Sequence, residues 1–335
     1  MARSHLTLAA LATSAVDGLD AQAASKFGSG TNSDYDSALV TGTDGRHWIV
    51  RVPNSERAEA EQSADLVALR ALSQGIRTRL PFSVSSYAGQ APIDNTRAVV
   101  YEFVYGTKLR LASLRPDESA ASVGQAIASI HLLPTSFVAD AGLPVLAPHD
   151  VLRSTVTIMD RAAATNLVPS SLLGRWERAS EDSALWQFAP TTINGALAAD
   201  SFLQADGRVS GVLDWHALSV GDPARDLCWL FGSDDEAVID TVVAAYTQVR
   251  GGADRQLTKR ARLYSELEIA KWLLHGRQER DTEIVDDAVR MLHGLVDRVD
   301  GNLDQNITHN TMPVMTVDEV ESMLDERERN AGSAE

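Results

Sequence analysis

Two kinds of periodicity alternate along the chain. Between residues 17 and 55, short apolar runs separated by polar turns predict β structure, and Asp44-Gly45 between two such runs is a hairpin signal. The second of these strands, His47 to Val52, is rich in β-branched and aromatic residues. From Glu56 to Ser73 the spacing changes to three and four residues. Ala60, Ala64, Val67, Ala68, Ala71 and Leu72 then mark the apolar face of a helix, which sets Glu61 and Asp65 one turn apart. An alternating strand pair follows and ends in Ala98-Val99-Val100-Tyr101-Glu102-Phe103-Val104, after which Tyr105-Gly106 reads as a hinge. Beyond it the chain is mostly helical. Asp117 after Pro116 predicts an N-cap for a helix over 117–133, with Ala120, Val123, Ile127, Ile130 and Leu133 as its buried face. Helices over 148–188 carry Trp176 and Trp186 as core aromatics, and further helices are expected over 236–250, 254–275 and 281–299. At the N-terminus, Leu6, Leu8, Ala9 and Leu11 predict an amphipathic helix packed on a lobe; the alternative, a signal peptide, would have a thin charged region.

Composition narrows the function classes. The formal net charge of −16 argues against non-specific nucleic-acid binding, which needs Lys and Arg to neutralise phosphates. No apolar run reaches the roughly 18 residues that would span a membrane, so no membrane role is expected and the expected compartment is the cytoplasm. The single cysteine, Cys228, excludes an intramolecular disulfide and lies in an apolar run that suits core packing. From Gly301 to Glu335 the composition becomes polar and acidic. Thr316-Val317-Asp318-Glu319 is a capping-box pattern, read either as a partner-docking helix on a flexible tail or as a frayed helix on a solvated extension.

The stretch that carries chemistry is Thr191 to Phe231. A hairpin strand, Val209-Ser210-Gly211-Val212-Leu213, delivers Asp214 to a strand end, and a rigid Gly221-Asp222-Pro223 turn opens a helix at Ala224-Arg225-Asp226. A carboxylate placed in this way suits Mg²⁺, which takes one or two carboxylates together with substrate phosphates; a solvated hairpin-end Asp is the plainer alternative.

The order of parts resembles the catalytic segment of the aminoglycoside and macrolide phosphotransferases, a family with the protein-kinase-like fold, and is most similar to the macrolide 2'-phosphotransferases. Asn194-Gly195-Ala196-Leu197 falls on the family's His-Gly-Asp-Leu, Leu213-Asp214-Trp215 on its (Ile/Leu)-Asp-Trp, and Gly221 to Leu227 on its third motif. Trp48 to Pro53, Arg79 to Val84 and Ile130-His131-Leu132-Leu133-Pro134 add weaker matches. The resemblance implies an α+β, bilobal fold. Residues 1–104 would form a β-rich N-lobe with one long helix, residues 105–300 a helical C-lobe, and residues 301–335 an acidic tail. It implies Mg²⁺ and ATP or GTP as cofactors and a small hydroxylated molecule as the second ligand. Asp214 takes the metal position and Ser201 the weaker second one. Arg51 would meet nucleotide phosphates, Asp65 or Glu61 would pair with Arg51, and backbone groups from Glu102 to Val104 would meet a purine. Gly28 and Gly30 would cover phosphates or form a simple turn. Asp226 would brace the loop, and His131 is expected to pack or cap rather than act as a base.

The loop departs from the family at its centre. Ala196 stands where the family has its catalytic Asp and Asn194 where it has His. A base at that position contributes about 10²–10⁴-fold. Asp200 is the loop's only carboxylate and the substitute base if one exists. Three readings follow: a degenerate phosphotransferase that binds nucleotide or a small molecule, or a protein partner, with little transfer; a working small-molecule kinase using Asp200; and an interaction module acting through the acidic tail.

Overall fold

The computed structural model describes residues 3–28, 34–252 and 254–300, with the side chains of 299 and 300 excepted. Gly30 and the tail from 301 onward lie outside the described residues. The N-lobe is built on a five-stranded antiparallel sheet. Before it runs α1 (His5–Ala15), capped by Ser4, whose side chain accepts the Thr7 N–H at 3.1 Å. Then come β1 (Ala21–Lys26), β2 (Tyr35–Gly42) and β3 (His47–Pro53), with Gly45 in the positive-φ position that the β2–β3 turn requires. The helices α2 (Glu56–Ala71) and α3 (Gln74–Arg77) and the short β4 (Ser83–Val84) precede β5 (Tyr87–Ile93) and β6 (Thr96–Glu102). The sheet order is β1-β2-β3-β6-β5.

Helix α1 lies on this sheet through Leu8, Ala9 and Ala12, and a Cβ at Gly89 of β5 would sit 2.0 Å from the Ala15 carbonyl oxygen. Leu6, expected to pack, is instead 67% exposed, because the burying face is set by Leu8 and Ala12 one turn apart. Helix α2 also differs from its expected face. Ala58, Gln62, Leu66, Ala68 and Leu69 are buried, while Ala60 and Val67 face solvent. Alanines are permissive in a helix and mark its phase weakly; Leu66 and Leu69 mark it strongly and bring Gln62 and Asp65 round to the lobe junction.

The C-lobe begins with β7 (Thr107–Lys108) and α4 (Glu118–His131). Asp117 caps α4 by accepting the Ser119 N–H at 2.8 Å, and Ala120, Val123, Ile127 and Ile130 form its buried face. Next come α5 (Ser136–Asp140), α6 (Pro148–Ala163), α7 (Ser170–Glu181) and β8 (Thr191–Ile193). The hairpin β9 (Phe202–Ala205) and β10 (Arg208–Val212) is followed by β11 (Ser219–Gly221), a 3₁₀ stretch over Pro223–Gly232, and α8 (Glu236–Arg250), α9 (Leu257–Glu279) and α10 (Thr282–Asp300). Trp176 and Trp186 are in the core as expected, but Trp186 lies in a turn after α7 and not on a helix.

Two features tie the lobes together. A four-stranded sheet, β4-β10-β9-β7, joins a strand that precedes the hinge to the hairpin that carries Asp214. The larger hydrophobic core runs from the C-lobe helices up through Phe82 and Tyr101 to Leu66, Leu69 and Leu72 of α2, while a smaller core of Leu8, Val40, Trp48 and Val100 sits under α1. The fold is therefore α+β and bilobal, with a cleft at the seam.

Candidate functional site

The loop after β8 is held by its backbone. Asp226, fully buried, accepts the Asn194 N–H at 2.8 Å and the Gly195 N–H at 2.7 Å. Its second oxygen also meets His131 Nε2 at 3.2 Å, and His131 Nδ1 meets the Tyr246 hydroxyl at 2.9 Å. His131 is thus a buried link between α4, α8 and the loop brace, as its helix-end position suggests. Arg225 Nε donates to the Gly195 carbonyl at 3.3 Å, and Gly195 takes φ +85°, where a Cβ would lie 2.4 Å from the Ala217 carbonyl oxygen. Asn194 Oδ1 accepts the Ala196 N–H at 3.1 Å. These bonds fix the loop whatever side chain stands at position 196.

Asp214 follows the β9–β10 hairpin. It takes φ +57°, a left-handed conformation uncommon for a residue with a Cβ. Its carbonyl oxygen accepts from Asn194 Nδ2 at 3.1 Å, and the next N–H, that of Trp215, donates to Asp65 Oδ1 at 2.8 Å. The Asp214 side chain faces a cleft of about 230 Å³ together with Arg51, Asp65, Ala196, Asp200 and Ser201, and with Tyr35, Glu61, Gln62, Tyr101, Ala198 and His216. The residues that the resemblance implies for metal, phosphate and base are thus brought to one place.

Their pairing differs from the expectation. Arg51 was expected to pair with Asp65 or Glu61; its Nη1 lies 3.5 Å from Asp214 Oδ1, and its guanidinium is 4.2 Å from the Tyr35 ring centroid. Asp65 forms no ion pair with the strand cation within 4.0 Å and bonds to the Trp215 N–H. Burial pushes the Asp65 carboxyl above the ordinary carboxylate range, partly opposed by the Trp215 N–H. Burial likewise raises the Tyr35 phenol to about 12, and its hydroxyl donates to the Ala58 carbonyl at 2.7 Å. Glu61 lies 3.9 Å from Arg57 at helical spacing.

Three of the candidate residues are otherwise engaged. Ser201 is buried, and its Oγ accepts the Ala198 N–H at 3.1 Å. Asp200 is 65% exposed and pairs with Lys108 Nζ at 3.2 Å. The Glu102 side chain pairs with Arg46 at 3.0 Å, and its N–H donates to Ser86, so only its carbonyl could serve a ligand. Val104 lies just past β6 and packs against Gly211 of β10. Glu102 and Val104 sit at the hinge rather than among the cleft residues around Asp214.

Among the described residues no group of three or more His, Cys, Asp and Glu side chains could by itself hold a metal ion. The donor set around Asp214 fits a single Mg²⁺ that takes one carboxylate and completes its shell with phosphates and water. It does not supply a second site, since Ser201 offers a neutral hydroxyl already in use. Tyr35, Gln62 and His216 were not anticipated from sequence. Gln62 had a signal, lying three residues before Asp65 on the same helix face. Tyr35 had none, because only the fold brings it to Arg51, whereas His216 had its place two residues after Asp214.

A profile of the phosphotransferase enzyme family matches residues 26–295. Among curated proteins, the uncharacterized protein YcbJ of Bacillus subtilis (strain 168) is 24% identical over 282 residues, covering 77% of this chain and 88% of its own. Viomycin phosphotransferase of Streptomyces vinaceus is 27% identical over 262 residues, covering 73% and 86%. Among solved structures, the macrolide 2'-phosphotransferase MphH apoenzyme from Brachybacterium faecium superposes with a TM-score of 0.69 at 22% identity, covering 82% of this chain and 94% of that one. The GDP complex of wild-type aminoglycoside 2'-phosphotransferase-IIIa gives 0.72 at 18% identity, covering 87% and 98%. These structures share the kinase-like fold. No helix of the described residues is long and apolar enough to cross a membrane.

Proposed function

Because the chain belongs to the phosphotransferase enzyme family, we propose that it binds a magnesium nucleotide, ATP or GTP, in the cleft around Asp214 and transfers phosphate weakly or not at all. The observation that carries this reading is a contrast around one cleft. The brace at Asp226, the metal-type carboxylate at Asp214 and the cation at Arg51 are in place, and the position between them that should accept a hydroxyl proton is the methyl group of Ala196.

Phosphoryl transfer depends mainly on positioning groups and spreading charge. In this reading Asp214 would hold Mg²⁺, with the nucleotide phosphates supplying further oxygens. The Mg²⁺, when bound, neutralises charge on the transferring phosphoryl group. Arg51 moves from Asp214 to a phosphate, which its planar fork suits. The backbone from Glu102 to Val104 meets the purine. The acceptor is a small hydroxylated molecule of the kind named for the relatives, a macrolide, an aminoglycoside or viomycin. Without a carboxylate at position 196 its hydroxyl is neither aligned nor deprotonated, at a cost of about 10²–10⁴ in rate.

Asp200 supports a second reading, that of a working kinase, because its carboxylate lines the same cleft. Its exposure and its pairing with Lys108 favour a solvated role. Thermal-shift titrations with Mg·ATP and Mg·GTP, alongside turnover assays with a macrolide, kanamycin and viomycin, separate these cases. The proposal expects saturable stabilisation that Asp214→Ala abolishes, with turnover near background. Hydroxyl-dependent turnover lost in Asp200→Asn would establish the second reading, and absence of any nucleotide response would sink both.

A further inference from the structure

The peptide group between Asp214 and Trp215 is held from both ends. Its C=O accepts from Asn194 Nδ2 at 3.1 Å, and its N–H donates to Asp65 Oδ1 at 2.8 Å. The two partners come from different lobes, Asn194 from the loop after β8 and Asp65 from α2. The residue whose carbonyl is held, Asp214, is in the left-handed region at φ +57°, which persists in a residue with a Cβ only when its surroundings over-determine it. Arg51 makes its ion pair with Asp214, at 3.5 Å, and none within 4.0 Å with Asp65, on which its charge acts only at longer range.

We propose that Asp65 is a positioning residue that acts on Asp214 as a backbone hydrogen-bond acceptor, jointly with Asn194, and not as the ionic partner of Arg51. Rotation of this peptide would swing the Asp214 side chain away from the cleft. Holding its C=O and N–H at once fixes the backbone from which the carboxylate enters the cleft that Ala196 and Ser201 also line. Asn194 is suited to this task because its amide both donates to Asp214 and accepts from the Ala196 N–H, so metal-side and base-side backbone are fixed by one side chain. The inference rests on the nucleotide-binding reading above and adds to it the devices that aim the metal carboxylate.

The two roles for Asp65 separate in one pair of variants. Asp65→Asn removes the charge and keeps an oxygen acceptor for the Trp215 N–H; Asp65→Ala removes both. The measurement is Mn²⁺ binding in the presence of ADP by electron paramagnetic resonance on the full chain, with circular dichroism melting of each metal-free variant as the folding control. The expected result is a Mn²⁺ midpoint for Asp65→Asn within about threefold of the unsubstituted protein, and a midpoint raised tenfold or more in Asp65→Ala. Asn194→Ala should raise it similarly, which keeps the test usable if Asp65→Ala does not fold. Asp65→Asn as weak as Asp65→Ala would overturn the inference in favour of an ionic role. Midpoints unchanged in Asp65→Ala and Asn194→Ala would overturn it in favour of a purely structural tether. If the unsubstituted protein gives no ADP-dependent Mn²⁺ signal, the nucleotide reading fails and the inference falls with it, an outcome distinct from the other two.

Discussion

Asp226 Oδ1 lies 2.7 Å from the backbone nitrogen of Gly195, across 31 residues of sequence. With the Asn194 N–H on its other oxygen, it presents the loop centred on Ala196 in one conformation. Asp226→Ala would leave these buried donors and His131 without an acceptor. Each unsatisfied buried polar group costs about 1–3 kcal/mol, so the expected loss of unfolding free energy is about 3 kcal/mol or more. Urea denaturation measures it directly. Asp226→Asn, which keeps one oxygen acceptor, should lose less.

A second buried carboxylate should matter comparably. Arg260 is wholly buried and donates to Asp222 at 2.7 and 3.0 Å, while the Tyr264 hydroxyl donates to the same carboxylate at 2.7 Å. Removing one partner of a buried pair strands the other charge, at about 3–5 kcal/mol. Arg260→Met is expected to destabilise by that amount in chemical denaturation. The paired change Arg260→Met with Asp222→Asn should recover part of it. A double loss equal to the sum of the two single losses would show that the pair is not coupled.

Gly195 should resist substitution. It holds φ +85°, and a Cβ there would approach the Ala217 carbonyl oxygen to 2.4 Å, so backbone must move. Gly195→Ala should weaken nucleotide-induced thermal stabilisation by at least several-fold in titration midpoint, through displacement of the loop. Gly207, with φ +75° at the β9–β10 turn and open space around it, carries conformational strain without the clash. Gly207→Ala should therefore leave the midpoint near that of the unsubstituted protein.

The thiol of Cys228 should be inert in the native state. Burial first, then the nearby Glu268, pushes it up to about 11, so almost no thiolate exists at pH 8. A raised thiol pKa means that reactivity grows only as pH climbs toward that value. Alkylation at pH 8 should be slow in the folded protein and rapid in denaturant. Fast native labelling would contradict the burial seen here.

Much of the fold was legible because its elements carry strong local patterns. The α4 face from Ala120 to Ile130 and the Asp44-Gly45 hairpin follow from periodicity and turn chemistry alone. The site was legible as far as motif order reaches: the segments of Asp214, Asp226 and Ala196 are joined by hydrogen bonds through Asn194 and Gly195. What could not be read was pairing. Asp65 bonds to a backbone N–H 150 residues away and Arg51 turns to Asp214, choices set by where α2 and the hairpin meet. The phase of α2 was misread for a related reason, since alanines outnumber the leucines that actually anchor it.

In the proposed reading, what keeps this framework from transfer is the missing base at position 196. Because the loop backbone is held by Asp226, Arg225 and Asn194, a carboxylate introduced at position 196 should project into the cleft that Arg51 and Asp214 line. The decisive measurement is steady-state phosphate transfer from Mg·ATP and Mg·GTP by Ala196→Asp, compared with the unsubstituted protein on the same acceptor panel. The account predicts a gain of about 10²-fold or more over a near-background rate. Turnover by the unsubstituted protein at about 1–100 s⁻¹, the range of working kinases, or a folded Ala196→Asp variant with no gain, would contradict it.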